Sequence, residues 1–331
     1  MGTVLPEYDR DAEARAAALE AELAGVVRDL DGLKRRGEKD HHEASTQRRT
    51  LESKAERLRQ ALQETRTAWQ AVALARHMQR PKAQEFAGAL LTDLTELHGD
   101  RAFRDDPAMM AGVGWFDGRP VAAIAPHKGK DTRENIAHNF GMPYPEGYRK
   151  ALRIMKLAEK FGYPIISIVD TPAAYPGDAA EERGQAEAIA RNIEEMTRLR
   201  VPVLVVITGE GGSGGALAIA VGDAVLMLEN AIYTVIPPEG CAAILWRDAM
   251  RAREAAAALR LTAMDLVTLG IIDEVIPEPR GGAHLDAEAT FGAVRETLRR
   301  HLAALDAMPV DALLERRYAK YRRMGYYEEQ A

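Results

Sequence analysis

Between residues 8 and 75 apolar side chains recur at alternating intervals of four and three. Leu19, Leu23, Val26, Leu30 and Leu33 form one series. After Gly37 and a polar stretch through Thr46, the spacing resumes at Leu51, Ala55, Leu58, Leu62, Thr65 and Trp69. Such a seam predicts helices, and the polar break predicts two of them folded back as a hairpin with solvated charged faces. So few heptads do not separate a hairpin packed within the chain from one docked on a partner; packing within the chain is the expectation.

From Arg80 the pattern changes to strands alternating with helices. Residues 109–116 and 119–125 read as strands joined by Asp117-Gly118, a strong hairpin signal. A Lys/Gly loop at 127–133 precedes a helix over 145–161. An apolar strand at 164–169 leads into Asp170-Thr171-Pro172, then a helix at 181–199 and a strand at 203–208. A glycine turn follows, and a small-residue helix starts at Ser213. Further strands are expected at 225–228, 232–236 and 273–276, with helices filling most of the rest. Buried strands that each feed a helix indicate an α/β domain with helices covering the sheet. The division expected is a helical region at 1–75, an α/β domain at 76–305 and a helical tail at 306–331.

Composition narrows the function classes. The chain has 331 residues, 47% hydrophobic and 28% charged, enough to bury a real core. A net charge of −6 argues against nucleic acid as the main partner. Cys241 is the single cysteine, which excludes an intrachain disulfide or a cysteine-based zinc cluster and suits a reducing compartment. The longest apolar runs, 201–207 and 216–221, are too short to span a bilayer. A soluble, cytoplasmic protein with no membrane segment is expected.

The glycine turn Gly209-Glu210-Gly211-Gly212-Ser213-Gly214-Gly215-Ala216 follows a buried strand and opens a helix. Glycine lets the backbone approach a ligand, and the first amides of a helix lack intrahelical acceptors, so such a turn suits phosphate, carboxylate or a developing oxyanion. Four readings compete. The glycines could serve only tight packing. A phosphate loop would need a Lys after the last glycine, and none is present. Gly209, Gly211 and Gly214 match a dinucleotide fingerprint, but such a unit usually opens a domain. Finally, Gly211-Gly212-Ser213-Gly214-Gly215 fits the Gly-x-Ser-x-Gly pattern of serine hydrolases, with Asp273 and His284 following in order. Against that, the turn between Thr208 and Ser213 looks too long for a sharp nucleophile elbow.

A second turn, Asp170-Thr171-Pro172-Ala173-Ala174-Tyr175-Pro176-Gly177, closes the preceding strand as the glycine turn closes its own, so two loops should lie side by side over one crevice. Other blocks accompany these two: Gly99-Asp100-Arg101, residues 139–143 and 145–152, Glu181-Glu182-Arg183-Gly184-Gln185, residues 209–218 and 238–242, Ile276-Pro277-Glu278-Pro279 and Gly281-Gly282-Ala283-His284. Together they resemble the α subunit of the bacterial acetyl-CoA carboxylase carboxyltransferase. The resemblance spans about residues 71–284 and continues loosely through Arg316-Arg317-Tyr318.

The resemblance implies a crotonase-like fold of ββα units in a spiral. It implies transfer of a carboxyl group from carboxybiotin, borne on a separate biotin carboxyl carrier protein and supplied by biotin carboxylase, to acetyl-CoA. The product is malonyl-CoA, the first committed intermediate of fatty acid biosynthesis. A β subunit, expected in an α2β2 assembly, would hold most of the acetyl-CoA side and a zinc motif that this chain lacks. The charges that develop, on the ureido oxygen and on an enolate, need preorganised donors, each worth roughly 3–4 kcal/mol. Gly214 and Gly215 are the expected donors to the biotin oxygen, with Ala216 beside them, and Ala173, Ala174 and Tyr175 line the biotin side. Biotin itself can act as the base, so no catalytic His is required.

Ala173 stands where the family pattern has glycine. A positive φ there would cost an alanine about 1 kcal/mol; Pro172 already stiffens the loop entry, and a negative φ is expected. Lys128, Lys130 and Arg133 form a basic loop that suits CoA phosphates, an acidic carrier or plain solvation. Tyr175 suits either a biotin ring or the core, and Asp170 with Glu182 an acid pair. His284 and Cys241 read as packing residues. Two rival functions remain: a Clp-like serine enzyme built on Ser213, and a nonenzymatic scaffold recruiting partners through the N-terminal hairpin.

Overall fold

The computed structural model describes residues 10–36, 41–64 and 67–325. Helices α1 (Arg10–Arg36) and α2 (His41–Glu64) pack as a hairpin, with Val26, Ala55 and Leu58 buried among Leu19, Leu23, Leu30 and Leu51. The expected seam is therefore an intramolecular one. The break at Gly37 and the seam position Thr65 lie outside the described residues, as does the side chain of Leu62. Trp69 leaves the series: it belongs to α3 (Ala68–Ala75), a separate helix. Thr67 begins that helix with a capping box, accepting from the Gln70 N–H at 3.3 Å while Gln70 Oε1 accepts from the Thr67 N–H at 2.9 Å.

Next come α4 (Ala83–Leu90), β1 (Thr92–Glu96), β2 (Met109–Phe116) and β3 (Arg119–Pro126). Asp117 and Gly118 both have positive φ, 49° and 79°, as a two-residue hairpin turn matching the strand twist demands. The polar edge strand β1 escaped the hydrophobic pattern because only Leu94 and Leu97 on this segment face the core. After α5 (Thr132–Ala137), α6 (Pro145–Phe161) opens on a proline and ends at Gly162, with φ 71°. It leads into β4 (Ile165–Thr171).

The helix expected over 181–199 is interrupted. Gly184 has φ 81° and separates α7 (Asp178–Glu181) from α8 (Gln185–Arg198). Then follow β5 (Val203–Gly212), α9 (Ser213–Leu217), β6 (Ala224–Leu228) and β7 (Ile232–Thr234), the last ended early by the Pro237-Pro238 pair that opens α10 (Pro238–Trp246). The chain continues through α11 (Ala252–Leu259), α12 (Ala263–Thr268), β8 (Glu274–Ile276), α13 (Ala287–Asp306) and α14 (Val310–Arg322). Helix α14 is clamped by Arg317, fully buried, whose guanidinium reaches Asp223 at 2.9 and 2.6 Å and the carbonyls of Met196, Leu199 and Val201.

One sheet runs in the order β1-β2-β3-β4-β5-β6-β8, antiparallel through β3 and parallel from there on. Strands β4 and β5 are buried along their whole length. Strand β5 does not stop at Thr208 but continues through Gly212, because it has two partners. Leu204–Ile207 pair with β6, whereas Glu210–Gly212 pair with β7. Between the pairs Val169↔Ile207 and Thr171↔Gly211 it advances four residues while β4 advances two, so it bulges at the point where the sheet changes direction.

Candidate active site

The two loops expected to share a crevice meet backbone to backbone. A Cβ on Gly212 would overlap the Pro172 carbonyl, and one on Gly215 would overlap the backbone of Ala173 and Ala174. A Cβ on Gly209 would stand 2.5 Å from Asp170 Oδ1, and one on Gly211 2.7 Å from the Tyr233 ring. Four of the five glycines are thus required by close approach within the chain. Gly214 is the exception. Its φ is not positive, and its added Cβ would meet only Ile189 at 3.7 Å, an ordinary contact.

Ser213 joins β5 directly to α9 at φ 54°. The junction is therefore a sharp strand-to-helix elbow, and the length objection to a nucleophilic serine falls away. The proposed partners of Ser213 are engaged elsewhere, however. Asp273 accepts from the Val225 N–H at 2.6 Å and from Lys320, and His284 stacks on His77 with ring centroids 3.9 Å apart. At the elbow itself the amides of Gly214 and Gly215 precede any carbonyl of α9 able to accept them. Among the described residues no other acceptor takes them.

Ala173 is not among the residues with positive φ, so the alanine is unstrained. Its carbonyl accepts from Thr171 Oγ1 at 2.8 Å. The loop is held further on by the Tyr175 N–H to the Pro143 carbonyl at 3.0 Å, and Gln185 Nε2 bridges the Pro143 and Tyr175 carbonyls. The Tyr175 ring lies on Tyr144, centroids 4.3 Å apart. Behind both loops Tyr148 is fully buried, its hydroxyl unpartnered among the described residues; burial and the nearby Asp106 push its pKa well up.

A buried charge network fixes the outer half of β5. Glu210 accepts from Lys128 Nζ and Arg76 Nε, each at 2.6 Å, and its N–H donates to Asp170 at 3.1 Å. Burial opposes ionisation of Glu210, but Lys128 and Arg76 outweigh it and hold the carboxyl below its ordinary range. Lys128 is held up in turn by Asp170 and Glu210 against its burial. Lys128 is thus a structural cation turned inward. Lys130 instead reaches Glu85 at 2.6 Å, and Arg133 is exposed. Asp170 belongs to this network and Glu182 is exposed on the far loop, so the suggested acid pair gives way to Asp170 with Lys128. Cys241 is buried, as a packing residue would be.

Arg80, 1% exposed, donates to Glu278 at 3.0 and 2.5 Å and to the Thr208 carbonyl at 2.8 Å. Sequence patterning missed both residues, because they stand 198 positions apart; the matched block Ile276-Pro277-Glu278-Pro279 was the one signal pointing to Glu278. The carboxylates of Glu96 and Asp105 lie close to His98 as metal ligands would, but the Lys150 ammonium already bonds both carboxylates at 2.8 Å.

Two loops at the carboxyl ends of adjacent parallel strands, with free amides at an elbow, suit stabilisation of a developing oxyanion. The sequence profile of a family described as Acetyl co-enzyme A carboxylase carboxyltransferase-like matches residues 16–325. The chain belongs to this family. The acetyl-coenzyme A carboxylase carboxyl transferase subunit alpha of Geobacter sulfurreducens is 56% identical over 276 residues, 83% of this chain and 86% of that protein. The subunit alpha of Thermus thermophilus is 53% identical over 281 residues, 85% of this chain and 89% of that protein. Among solved structures, a transcarboxylase 12S superposes with a TM-score of 0.54 at 17% identity, over 76% of this chain and 44% of that chain. A Pseudomonas malonate decarboxylase hetero-tetramer in complex with coenzyme A gives 0.54 at 21% identity, over 66% and 90%. These likenesses concern the fold, which is crotonase-like. The activity is that of a carboxyltransferase α subunit, moving a biotin-borne carboxyl group to acetyl-CoA to form malonyl-CoA within a complex that includes a β subunit. The serine-enzyme and scaffold readings are not favoured. Among the described residues no helix is long and apolar enough to cross a membrane.

Proposed function

We propose that the Gly214 and Gly215 amides receive the biotin oxygen on which charge develops as the carboxyl group leaves, with the Ala216 N–H next to them. In this reading Ala173, Ala174 and Tyr175 line the biotin side of the crevice. Carboxybiotin, borne on a separate carrier protein and replenished by biotin carboxylase, supplies the activated carboxyl group. The bond from that carboxyl to the ureido nitrogen breaks and a bond to the methyl carbon of acetyl-CoA forms, the methyl proton passing to the same nitrogen. This chain's part is to hold the oxygen and to keep the loop geometry fixed, which the inward-turned Lys128–Glu210–Arg76 cluster assists. The observation that carries the reading is the pair of Gly214 and Gly215 amides, which meet no acceptor among the described residues, at an elbow where a Cβ on Gly214 would meet only Ile189 among them. Preorganised donors of this kind act without reorganising during the reaction.

The β subunit is proposed to complete the acetyl-CoA side, to carry the zinc motif and to assemble with this chain as α2β2 in the cytoplasm. The test is reconstitution. The purified chain alone should make no malonyl-CoA from carboxybiotin and acetyl-CoA, and addition of the β subunit should restore turnover; a zinc-containing β subunit should also co-purify from the native host. Robust malonyl-CoA formation by the lone chain would overturn the reading.

A further inference from the structure

Beside the Tyr175 loop lies a rim of arginines on aromatic rings that the reaction itself leaves unused. It is built from a loop folded around one carboxylate. Asp100 Oδ1 accepts the N–H groups of Ala102, Phe103 and Arg104 at 3.0, 2.8 and 3.1 Å, and Oδ2 accepts from Arg149 Nε at 2.8 Å. Gly99 and Arg101 both have positive φ, 80° and 64°. With its polar centre satisfied from inside, the loop turns Arg101, Phe103 and Arg104 outward, Phe103 being 61% exposed. Lys150 anchors the far end through Asp105 at 2.8 Å.

The arginines here are unevenly paired. Arg149 is matched by Asp100, and Arg183 by Glu146. Arg153 bonds the carbonyls of Leu97, His98 and Gly99 with Asp105 and Asp100 nearby, and among the described residues Arg101 and Arg104 form no ion pair with a carboxylate. Arg101 and Arg104 are exposed, so their guanidiniums are open to a partner's acidic groups. The guanidiniums of Arg104 and Arg183 lie over both Phe103 and Tyr144, at 5.1 to 5.4 Å from the ring centroids. Tyr144 is also covered by Tyr175.

That layering bears on the class of ligand. The guanidiniums of Arg104 and Arg183 lie against both rings and Tyr175 lies against Tyr144, so a nucleotide base would have to compete with contacts already made. What it presents is guanidinium N–H edges around an exposed phenyl group, held in a preformed loop. Arginine and aromatic residues in this arrangement are the common anchors of protein interfaces, and their partners are carboxylates. We propose that this rim docks an acidic face of the biotin-bearing carrier protein, so that the biotin arm passes Tyr175 toward Gly214. The proposal rests on the reading of the Gly214–Gly215 elbow as the biotin side.

The experiment uses the complex assembled with the β subunit and compares carrier-borne biotin with free biotin as carboxyl acceptor from malonyl-CoA. The variants are Arg104→Glu and the double Arg101→Glu/Arg104→Glu, with thermal unfolding checked for each, and Arg104→Lys to retain the charge. The double variant should raise KM for the carrier by about tenfold, and the salt dependence of that KM should be weaker than in the parent. Arg104→Lys should recover part of that loss, and kinetics with free biotin and KM for malonyl-CoA should hold. An equal rise with free biotin would assign the arginines to the site itself. A rise confined to malonyl-CoA would assign them to CoA phosphates, and unchanged carrier kinetics would remove any docking role; each of these overturns the proposal. Direct titration of biotinylated carrier onto the assembled complex measures the same loss of affinity where turnover is absent, in which case it is the elbow reading that fails.

Discussion

Gly215 lies against Ala174 so closely that a Cβ on the glycine would overlap the alanine's backbone nitrogen, whereas its neighbour Gly214 faces nothing nearer than Ile189 at 3.7 Å. Adjacent glycines in one elbow therefore have different reasons to be glycine. Gly215→Ala forces one loop off the other, an overpacking that should destabilise the chain by roughly 1–3 kcal/mol. Gly214→Ala should leave the fold as stable or raise it by up to about 1 kcal/mol, since alanine favours the helix. If the Gly214 amide faces the biotin oxygen, a methyl beside it displaces the reacting group. Turnover should then fall by at least about tenfold, a displacement of ~1 Å costing as much as ~100-fold. Urea unfolding and the carboxyl-transfer assay on both variants separate packing from chemistry. A Gly214→Ala enzyme with full activity would remove that residue from the site.

Ser213 tests amides against side chains. Its φ of 54° is one an L-residue holds at a cost of about 1 kcal/mol, so Ser213→Gly should stabilise the elbow by up to that amount. Ser213→Ala keeps every backbone N–H, and its turnover should stay within about tenfold of the parent, or roughly 1.4 kcal/mol. A fluorophosphonate probe should leave no stoichiometric adduct. Loss of all turnover in the alanine variant of the reconstituted complex would make the hydroxyl essential.

Much of this arrangement was legible in the sequence, and for local reasons. The α1–α2 seam, the Asp117-Gly118 hairpin and the Pro145-to-Gly162 helix each rest on spacing, on a proline whose φ is fixed or on a glycine free to take positive φ. The glycine segment misled because glycine signals a turn, while here Gly209, Gly211 and Gly212 remain in β5 to admit Asp170, Tyr233 and Pro172. Lys128 read as a free cation because its partners Glu210 and Asp170 are distant in sequence. The Arg80–Glu278 pair and the Arg104–Tyr144 layering were hidden for the same reason.

The anchor of the arginine-bearing loop carries a pH signature. Burial would raise the Asp105 carboxyl, but Lys150, the Gly99 N–H and His98 bring it from 3.8 down to about 2. An acid whose folded pKa lies below its unfolded value binds fewer protons when folded. Its stabilisation is complete above 3.8 and drains away as pH falls toward 2. Urea midpoints measured from pH 5 down to about pH 2 should fall less steeply for Asp105→Asn than for the parent. Parallel slopes would show that the Asp105–Lys150 pair contributes nothing in solution.

The sequence resemblance implies a glycine at the position of Ala173, and the loop offers a direct reading of that exchange. The residue lies outside the positive-φ set, between Pro172, which restricts the entry, and Ala174, whose amide faces Gly215. Its carbonyl is held by Thr171 Oγ1 at 2.8 Å. Nothing in this backbone calls for glycine, so restoring one adds freedom to the unfolded chain without relieving strain in the folded one. Ala173→Gly should therefore destabilise the protein by about 0.4–1 kcal/mol. Its carboxyl-transfer rate should stay within about twofold of the parent, or ~0.4 kcal/mol, because the Thr171 and Gly215 contacts are made by the backbone and survive the change. Denaturant unfolding alongside the assay of the assembled complex checks both. A glycine variant both more stable and clearly faster than the parent would mean that the alanine loop is strained in solution.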